Sequence, residues 1–531
     1  MLKELKISLN GWATDDAEVY LSHMPDGWED ASIIKERSTT YWGVFTSFSL
    51  PMKFTKEAAG YLRKEFYHKG VMSEVDCTIE KLDKVYLDYA VIFAGKLDFA
   101  TYKDQDNYVE IALINKGLSD WIKKNEDTEY EVPNVLRPGG LVRDVTVHPW
   151  GDELFRYGLN LFEALKWLVD LMTEYGYLAG TYDVASTILS GYDDNVILMN
   201  GLAWRTETYD PLTGAPDNAA VYRTTFKDFF KSVSMAIGPL GLGIELRSGK
   251  ETLVIERLSY FFDDTQITDL GDVSDLMVSL NKDLNIQRIK IGYPEKEYDN
   301  TEYSLNEPNT TSSFTTKNFS VKKELDLTSK YRADWHGLTV VTENNSGGET
   351  DDSADDDIWF LEIDPSTFVP RVGYLKKKGT VGTVDLHNAL LTPMRAMWRH
   401  LNFFEGCQYR VYADQGAEAK ITFSAGGNDQ RNNECATYLG GDWVYEWSSV
   451  NLYGTGGYFQ PVDIQFKAPY PLDMIELIEA APNGLIEFTY KGNTYYGYLL
   501  KIEVKLSEKS DAKYLLLSTH ENELKNLIRN G

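Results

Sequence analysis

Histidine is the first residue type to test for chemistry, because imidazole is a frequent general base and metal ligand. No two histidines have the spacing by which a helix presents a pair to one metal ion. His400 is the most interesting, because it follows Arg399 in a segment with a helical pattern. A packed or solvent-facing side chain is favoured there, and no catalytic histidine is predicted. The histidines are His23, His68, His148, His336, His387, His400 and His520.

Carboxylates offer two further chemistries, calcium binding and glycoside hydrolysis. Residues 351–357 contain five Asp. An EF-hand needs Asp at alternate positions, a central Gly and a terminal Glu, and this register is missing. Glycoside hydrolysis needs two carboxylates that only the fold brings together, and no pair stands out among 81 acidic residues. No metal site and no catalytic pair is predicted.

Thiol, nucleotide and hydrolase motifs are also missing. Cys77, Cys407 and Cys435 form no CxxC, which argues against a zinc knuckle or a thioredoxin motif. Cys407 and Cys435 could pair only if the fold brought them together, and reduced thiols are favoured. There is no GxxxxGK[ST], no GxGxxG after a strand, no HExxH and no GxSxG. No cofactor is predicted, and the chain is predicted not to be an enzyme.

Composition limits the class of protein. A chain of 531 residues predicts about three or four domains. The net charge of −28 argues against specific nucleic-acid binding, and the lysines at 376–378 are interpreted as a solvated loop. An excess of aromatic residues (34 Tyr, 23 Phe and 12 Trp) favours β-rich domains that contact partners. No segment has the apolar length of a membrane span or a signal peptide.

Residues 1–130 are predicted to form the first domain. A strand at 44–54 precedes a helix that Thr55 begins and Gly70 ends. Strands at 73–82 and 85–102, connected at 83–84, a strand at 107–115 and a short helix from 118 complete it. The Pro- and Gly-containing segment 131–140 marks a boundary.

The middle of the chain is predicted to contain an α+β domain at 141–270 and a loop-rich connecting domain at 271–410. The first has a helix at 161–175, with Asn160 and Glu163 at capping-box spacing. A second helix begins at Thr225, with Asp228 three residues later, and a hairpin follows. The polar segments 299–316 and 343–357 are predicted to be exposed loops.

The last domain, 411–531, repeats the element order of the first. A strand at 462–466, a helix from Asp473, a hairpin at 485–506, a strand at 512–518 and a helix at 521–529 follow the order seen in 44–122. Gly95 lies midway along the long strand of the first unit, and Gly497 lies early in the equivalent strand of the second. A duplication is favoured; the alternative is two α+β domains that merely share an element order.

This element order resembles the barrel domain shared by phage tail-tube and tail-hub proteins. Two segments, 323–337 (KELDLTSKYRADWHG) and 391–401 (LTPMRAMWRHL), resemble structural proteins from tail modules of phages and prophages. The resemblance implies an α+β, β-rich, multi-domain fold. It would contain two tail-tube/hub-like β-barrel domains, each with a flanking helix, and intervening α+β domains.

The function implied by this resemblance is structural. The chain would be a baseplate hub subunit that connects tail tube to tail tip in the virion, after assembly in the host cytoplasm. Its partners would be itself, as a C3 homotrimer, together with tail-tube or distal-tail proteins and tail-tip or spike proteins. The alternative is a surface glycan-binding or glycan-cleaving protein, which the aromatic excess suits but which needs an export route.

Overall fold

A computed structural model shows how the chain folds. It describes residues 5–11, 19–49, 51–82, 88–133, 145–147, 156–177, 179–192, 195–205, 221–296, 309–315, 323–334, 337–338, 354–364, 369–370, 372–377, 384–407, 420–425, 435–439, 442–446, 449–451, 457–469, 477–478, 481–506 and 511–519.

The α-helices within these ranges are short to medium in length. They are α1 Lys56–Lys69, α2 Leu118–Asn125, α3 Leu161–Met172, α4 Thr187–Tyr192, α5 Gly201–Arg205, α6 Phe226–Ile237, α7 Pro393–Arg399 and α8 Leu401–Gly406. Single 3-10 turns lie at Trp28–Asp30, Gly70–Met72, Leu258–Phe261 and Ala389–Leu391.

Most of the regular structure is strand. The N-terminal strands are β1 Leu5–Gly11, β2 Val19–Tyr20, β3 Ser32–Arg37, β4 Val44–Phe48, β5 Met52–Thr55, β6 Val75–Leu82, β7 Tyr89–Gln105, β8 Tyr108–Asn115 and β9 Glu129–Pro133. The following strands are β10 Val145–Val147, β11 Arg156–Asn160, β12 Tyr182–Ala185, β13 Val196–Asn200, β14 Val221–Thr225, β15 Leu240–Arg247, β16 Lys250–Arg257, β17 Asp263–Asp272 and β18 Ser274–Leu280. The remaining strands are β19 Arg288–Gly292, β20 Thr311–Thr315, β21 Glu324–Thr328, β22 Ile358–Asp364, β23 Val369–Pro370, β24 Val372–Lys377, β25 Val384–His387, β26 Lys420–Ala425, β27 Cys435–Leu439, β28 Asp442–Glu446, β29 Ser449–Asn451, β30 Val462–Pro469, β31 Gly484–Tyr490, β32 Asn493–Lys505 and β33 Asp511–Ser518.

The first barrel, which we call the N-terminal barrel, is an antiparallel sheet of order β2-β1-β6-β7-β8-β5. One segment, 19–26, pairs with both ends of this sheet. Its start, β2, pairs with β1, and the Asp26 N–H donates to the Lys53 carbonyl of β5 at 2.8 Å. The sheet therefore closes on itself. Helix α1 follows β5 and buries Ala59 and Leu62 in the barrel core.

The C-terminal barrel is closed in a similar way. Its four central strands lie in the order β31-β32-β33-β30. β17 pairs with β31 and β18 pairs with β30, and only Val273 separates β17 from β18. β17 is parallel to β31 and β18 is antiparallel to β30, so β17 and β18 run in the same direction. The one bent segment that they form therefore pairs with both outer strands of the order β31-β32-β33-β30. The hairpin β3–β4 from the N-terminal region adds to the second half of β32.

The two barrels share a strand order. β6-β7-β8-β5 in the first corresponds to β31-β32-β33-β30 in the second. The helix α1 follows β5, and the helical pair 477–478 follows β30. The rest of that predicted second helix, the connection at 83–84 and the helix predicted at 521–529 lie outside the described residues. The predicted α+β, β-rich, multi-domain fold is confirmed.

The strand predicted at 44–54 is wrong as one element. β4 pairs with β3 in the C-terminal sheet, whereas β5 pairs with β8 in the N-terminal barrel. Pro51 lies between them and has no N–H to continue a ladder. The C-terminal sheet also takes strands from all four predicted segments, and β17 spans the boundary at 270. The four segment boundaries stay predictions.

The intervening region packs several small sheets around α3 and α6. Their orders are β10-β11-β13-β22-β23, β12-β16-β15, β14-β9, β21-β19-β20-β26-β29 and β25-β24-β27-β28. At the start of α6 the Asp228 N–H donates to Thr225 Oγ1 at 3.0 Å, which confirms the predicted cap. Asn160 occupies the N-cap position of α3 without a side-chain capping bond, so the predicted capping box is wrong.

A single apolar cluster joins the two barrels. It contains Phe54 and Leu62 from the N-terminal barrel and Phe466 and Leu499 from the C-terminal barrel, all at most 1% exposed. Buried apolar area of this kind is the main favourable contribution to packing. The two barrels are therefore held together by a common core. None of the helices that the structure describes is long and apolar enough to cross a bilayer.

Candidate assembly surfaces

The histidine singled out by the sequence is a packing residue. His400 lies between α7 and α8 and is 2% exposed, with Nδ1 2.8 Å from the Ala396 carbonyl oxygen. Burial lowers the pKa of His400 to about 4, so the ring is neutral at pH 7. His23 and His68 are exposed, and His148, His336 and His520 lie outside the described residues. The structure therefore assigns His400 no reacting partner.

The described part of the Asp-rich segment forms ion pairs within the chain. Asp357 accepts from Arg332 at 2.7 Å, and Asp356 lies 3.4 Å from Arg223. Arg332 also contacts Asp334 at 2.6 Å and lies over the Trp359 ring. Residues 351–353 lie outside the described ranges. Within those ranges no group of three or more His, Cys, Asp and Glu side chains is placed to hold a metal ion.

The two cysteines whose side chains are described are buried, free thiols. Burial raises the pKa of Cys77 to about 12, and it also raises the pKa of Cys407. Thiolates are therefore scarce at neutral pH, and the reactivity that depends on them is low. The side chain of Cys435 lies outside the described set. The bond considered between Cys407 and Cys435 is not formed, because Cys407 is free.

Arg37 fixes the junction between the N-terminal region and the C-terminal barrel. It is 2% exposed, and its guanidinium donates to four backbone carbonyls, three of which belong to residues distant in the sequence. Burial lowers its pKa to about 10, so it stays charged at neutral pH. The acceptors are the carbonyls of Leu499 at 2.8 Å, Trp42 at 2.7 Å, Phe261 at 2.8 Å and Pro482 at 3.2 Å.

An open cavity of about 330 Å³ lies beside this junction, between the β3–β4 hairpin and α2. Several of its ionisable side chains make contacts within the chain, and Glu36 lies exposed in its wall. The Tyr41 hydroxyl donates to Glu126 at 2.7 Å, and the Lys123 ammonium lies over the Phe45 ring. Arg37, also in its wall, donates to the carbonyls described above. Tyr41, Lys123 and Arg37 thus contribute to the packing of the junction beside the cavity.

A protruding apolar surface lies at the end of α1. Gly70 ends the helix at φ +61°, as predicted, and starts the 3-10 turn. Tyr67, Val71 and Met72 are 81%, 65% and 76% exposed. The one carboxylate in residues 64–72, Glu65, is buried. We call this surface the α1 knob; it comprises Lys64, Tyr67, His68, Lys69, Val71 and Met72, all exposed.

A second exposed surface follows the segment that closes the C-terminal barrel. Residues 258–281 contain five Asp and no Glu, Lys or Arg. Thr268 and Leu276 are buried, whereas Ile267 and Met277 are each 54% exposed. We call the outward side chains of this segment the acidic arm; they are Ile267, Asp269, Asp272, Asp275, Met277 and Leu280. Asp275 contacts Lys467 at 3.3 Å.

The sequence reasoning did not single out either surface. In α1 the signal is the apolar run at 66–67 and 71–72, which continues past the residues that face the barrel core. In the acidic arm the signal is five Asp in 263–275 without a compensating base. A large apolar side chain that stays exposed on a folded chain often marks a contact with a partner. Both surfaces are thus candidates for assembly contacts.

Comparison with known proteins gives structural neighbours only. No family model matches the chain, and no curated protein matches it. A tail protein from Neisseria meningitidis is similar over 97% of both chains, with 6% identity and a TM-score of 0.38. A 43 kDa tail protein of a Shewanella oneidensis prophage covers 97% of this chain and 98% of its own, with 8% identity and a TM-score of 0.37. A prophage tail protein from Listeria monocytogenes covers 99% and 98%, with 6% identity and a TM-score of 0.30.

Proposed function

We propose that this chain is a structural protein of a bacteriophage-type tail tip, a hub subunit that connects the tail tube to the tip. The observation that carries the proposal is the pair of barrels with one strand order in one chain. The two barrels share an apolar core, which holds them together. A subunit of this kind presents two similar surfaces at a fixed spacing.

The mechanism is geometric. A closed ring repeats one contact between identical chains. Three chains with two barrels each present six similar barrels, which match a six-fold tube on one side and a three-fold tip on the other. The partners are therefore a second and third copy, tail-tube or distal-tail proteins, and tail-tip or spike proteins. No step in this function breaks or forms a covalent bond.

The net negative charge of the chain is compatible with a ring that surrounds a channel for DNA. The net charge of −28 creates a repulsive field for other polyanions. A channel through the ring that is lined more by Asp and Glu than by Lys and Arg would let DNA pass without binding it. The segment 258–281, which includes the acidic arm, contains five Asp and no Lys or Arg, and the side chains of the arm are exposed.

A reconstruction of the assembled particle tests the proposal. We expect three copies around the tail axis, with six barrels in one layer between tube and tip. A ring of six identical chains would make the protein a tube or distal-tail subunit. Copies attached away from the axis would make it a receptor-binding accessory. Either result overturns the hub proposal.

A further inference from the structure

We propose that the α1 knob of one copy binds the acidic arm of the next copy, and that this head-to-tail contact closes the ring. The inference deepens the proposed function and rests on it, because it names the contact by which copies of the chain associate. It assigns a role to two surfaces that packing within one chain leaves uncovered.

The α1 knob is suited to an acidic, partly apolar partner. Tyr67, Val71 and Met72 supply apolar and aromatic area, and aromatic and Met side chains are enriched in interface cores. Lys64 and Lys69 flank them and are exposed. Because Glu65 is buried, no exposed carboxylate lies within residues 64–72. The knob is thus a basic rim around an apolar centre in a protein that is strongly acidic overall.

The acidic arm has the complementary composition. Ile267 and Met277 point away from the barrel core, each 54% exposed. Asp269 and Asp272 lie on β17, and Asp275 follows on β18. No Lys or Arg occurs in 258–281. Lys467, on the neighbouring strand β30, offsets the charge of Asp275. The arm is thus an acidic rim around apolar side chains.

The charges decide which pairing of these surfaces is favourable. A symmetric knob-to-knob contact brings the lysines of two copies together, and an arm-to-arm contact brings two sets of Asp together. Like charges in an interface disfavour both contacts. Only the knob-to-arm contact pairs opposite charges while covering apolar area on both sides. Such a contact uses two different patches, and repeated contacts of this type form a ring when the rotation closes.

The two surfaces do not satisfy each other within one chain. Tyr67 and Met72 are more than three-quarters exposed, and Ile267 and Met277 are more than half exposed, in the same folded chain. The proposed contact is therefore one between two copies of the chain. A stable interface buries about 800 Å² on each side, so knob and arm would form the centre of a larger contact.

Cross-linking between two marked chains tests the pairing directly. One chain carries Met72→Cys and the other, with a size tag, carries Met277→Cys; both carry Cys435→Ser, and Cys77 and Cys407 are buried. The mixture is treated with a flexible bis-maleimide at high protein concentration. We expect a cross-link between the two different chains in the mixture and little cross-linking in either chain alone. Equal cross-linking within each single variant, or no cross-link between chains, overturns the inference.

Charge reversal supplies a second, independent test. The variant Lys64→Glu/Lys69→Glu should reduce the rate of association at least about 10-fold, because opposite charges accelerate encounter. Asp269→Lys/Asp272→Lys should do the same. Combining both pairs in one chain should restore association. A combined variant that associates no better than either parent overturns the inference.

The tests separate this contact from the hub role. Three axial copies in the particle, with no knob-to-arm cross-link, overturn the contact and leave the hub proposal in place. A knob that contacts a tube or spike protein in the particle also overturns the contact. Six copies in the ring together with the cross-link overturn the hub role and support the contact.

Discussion

Gly95 and Gly497 occupy the same position in the two barrels. Each lies on the long central strand, opposite the third residue of the preceding strand and the last residue of the following strand. Gly95 pairs with Cys77 and Asn115, and Gly497 pairs with Ile486 and Ser518. The two cross-strand partners of Gly95 therefore occupy the same strand positions as the two partners of Gly497. A shared strand order does not by itself require this match in register. The agreement supports a duplicated barrel.

Both glycines are needed because neighbouring atoms leave no room for a Cβ. At Gly95 a Cβ would press on the Ile114 carbonyl oxygen and on the Phe93 ring, and at Gly497 it would lie 2.8 Å from Leu516 Cβ. Forced packing of this kind costs about 1–3 kcal/mol. We expect Gly95→Ala to cost about 2–3 kcal/mol and Gly497→Ala about 1–2 kcal/mol, because a backbone oxygen yields less than a side chain.

The measurement is the denaturation midpoint of each variant. Gly60→Ala is the matched control, since Gly60 lies in α1 with nothing within 4 Å of the added Cβ. That substitution should stabilise by up to about 1 kcal/mol, because Ala is the better helix former. If Gly95→Ala is as stable as Gly60→Ala, the close approach described for Gly95 is wrong.

Arg37 is the side chain whose loss should most weaken the junction. Arg37→Met removes the donor to three buried carbonyls, those of Trp42, Phe261 and Leu499. It also removes the donor to the partly buried carbonyl of Pro482. Leaving buried polar groups unpaired costs about 1–3 kcal/mol each in isolation, so we expect a total loss of at least about 3 kcal/mol. The midpoint of chemical unfolding measures this loss.

Arg37→Lys is the control for charge. Lysine keeps the charge but lacks the planar set of five donors, so it should recover only part of the stability. Full recovery by lysine would mean that the charge matters and the individual carbonyl bonds do not.

The sequence predicted local elements well where the pattern was strong. The cap at Thr225, the end of α1 at Gly70 and the hairpin predicted at 485–506 follow from residue types at fixed spacings. Each of these depends on interactions close in the chain or on one glycine conformation. Such features are encoded locally, so a single sequence is enough to predict them.

The pairing of strands that are distant in the sequence could not be predicted from local sequence patterns. The hairpin β3–β4 pairs with β32, which is more than 450 residues away in sequence. Nothing in the composition of 32–48 distinguishes pairing with β32 from pairing with a local strand. The exposure of Tyr67 and Met72 could not be predicted from the sequence either, since an apolar residue near a helix end usually packs inward. Tertiary contacts decide both features.

Stability should fall in mild acid because of His400. The pKa of His400 is lowered from 6.5 to about 4, chiefly by burial and also by the positive charge of Arg399. The unfolded chain takes up a proton near pH 6.5 and the folded chain does not. The contribution is therefore fully present above pH 6.5 and is lost as the pH falls toward 4, by at most about 3 kcal/mol.

Comparison with His400→Gln isolates this contribution. Between pH 7 and pH 5 the wild-type free energy of unfolding should fall by about 2 kcal/mol more than that of the variant. The free energy comes from urea titrations at each pH. Equal slopes for the two proteins would show that His400 is protonated in the folded state.

The α1 knob should be dispensable for folding. Tyr67 and Met72 are 81% and 76% exposed, so Tyr67→Ser/Met72→Ser removes little buried area and should change the stability by no more than about 0.5 kcal/mol. Leu62→Ala, at a position 0% exposed on the same helix, should cost about 2–5 kcal/mol because it leaves a cavity. Unfolding midpoints of the two variants give this comparison. Sedimentation at high concentration should show weaker self-association for the double serine variant alone. A double variant that unfolds as readily as Leu62→Ala would show that the knob packs against its own chain, and its exposure would then have no bearing on assembly.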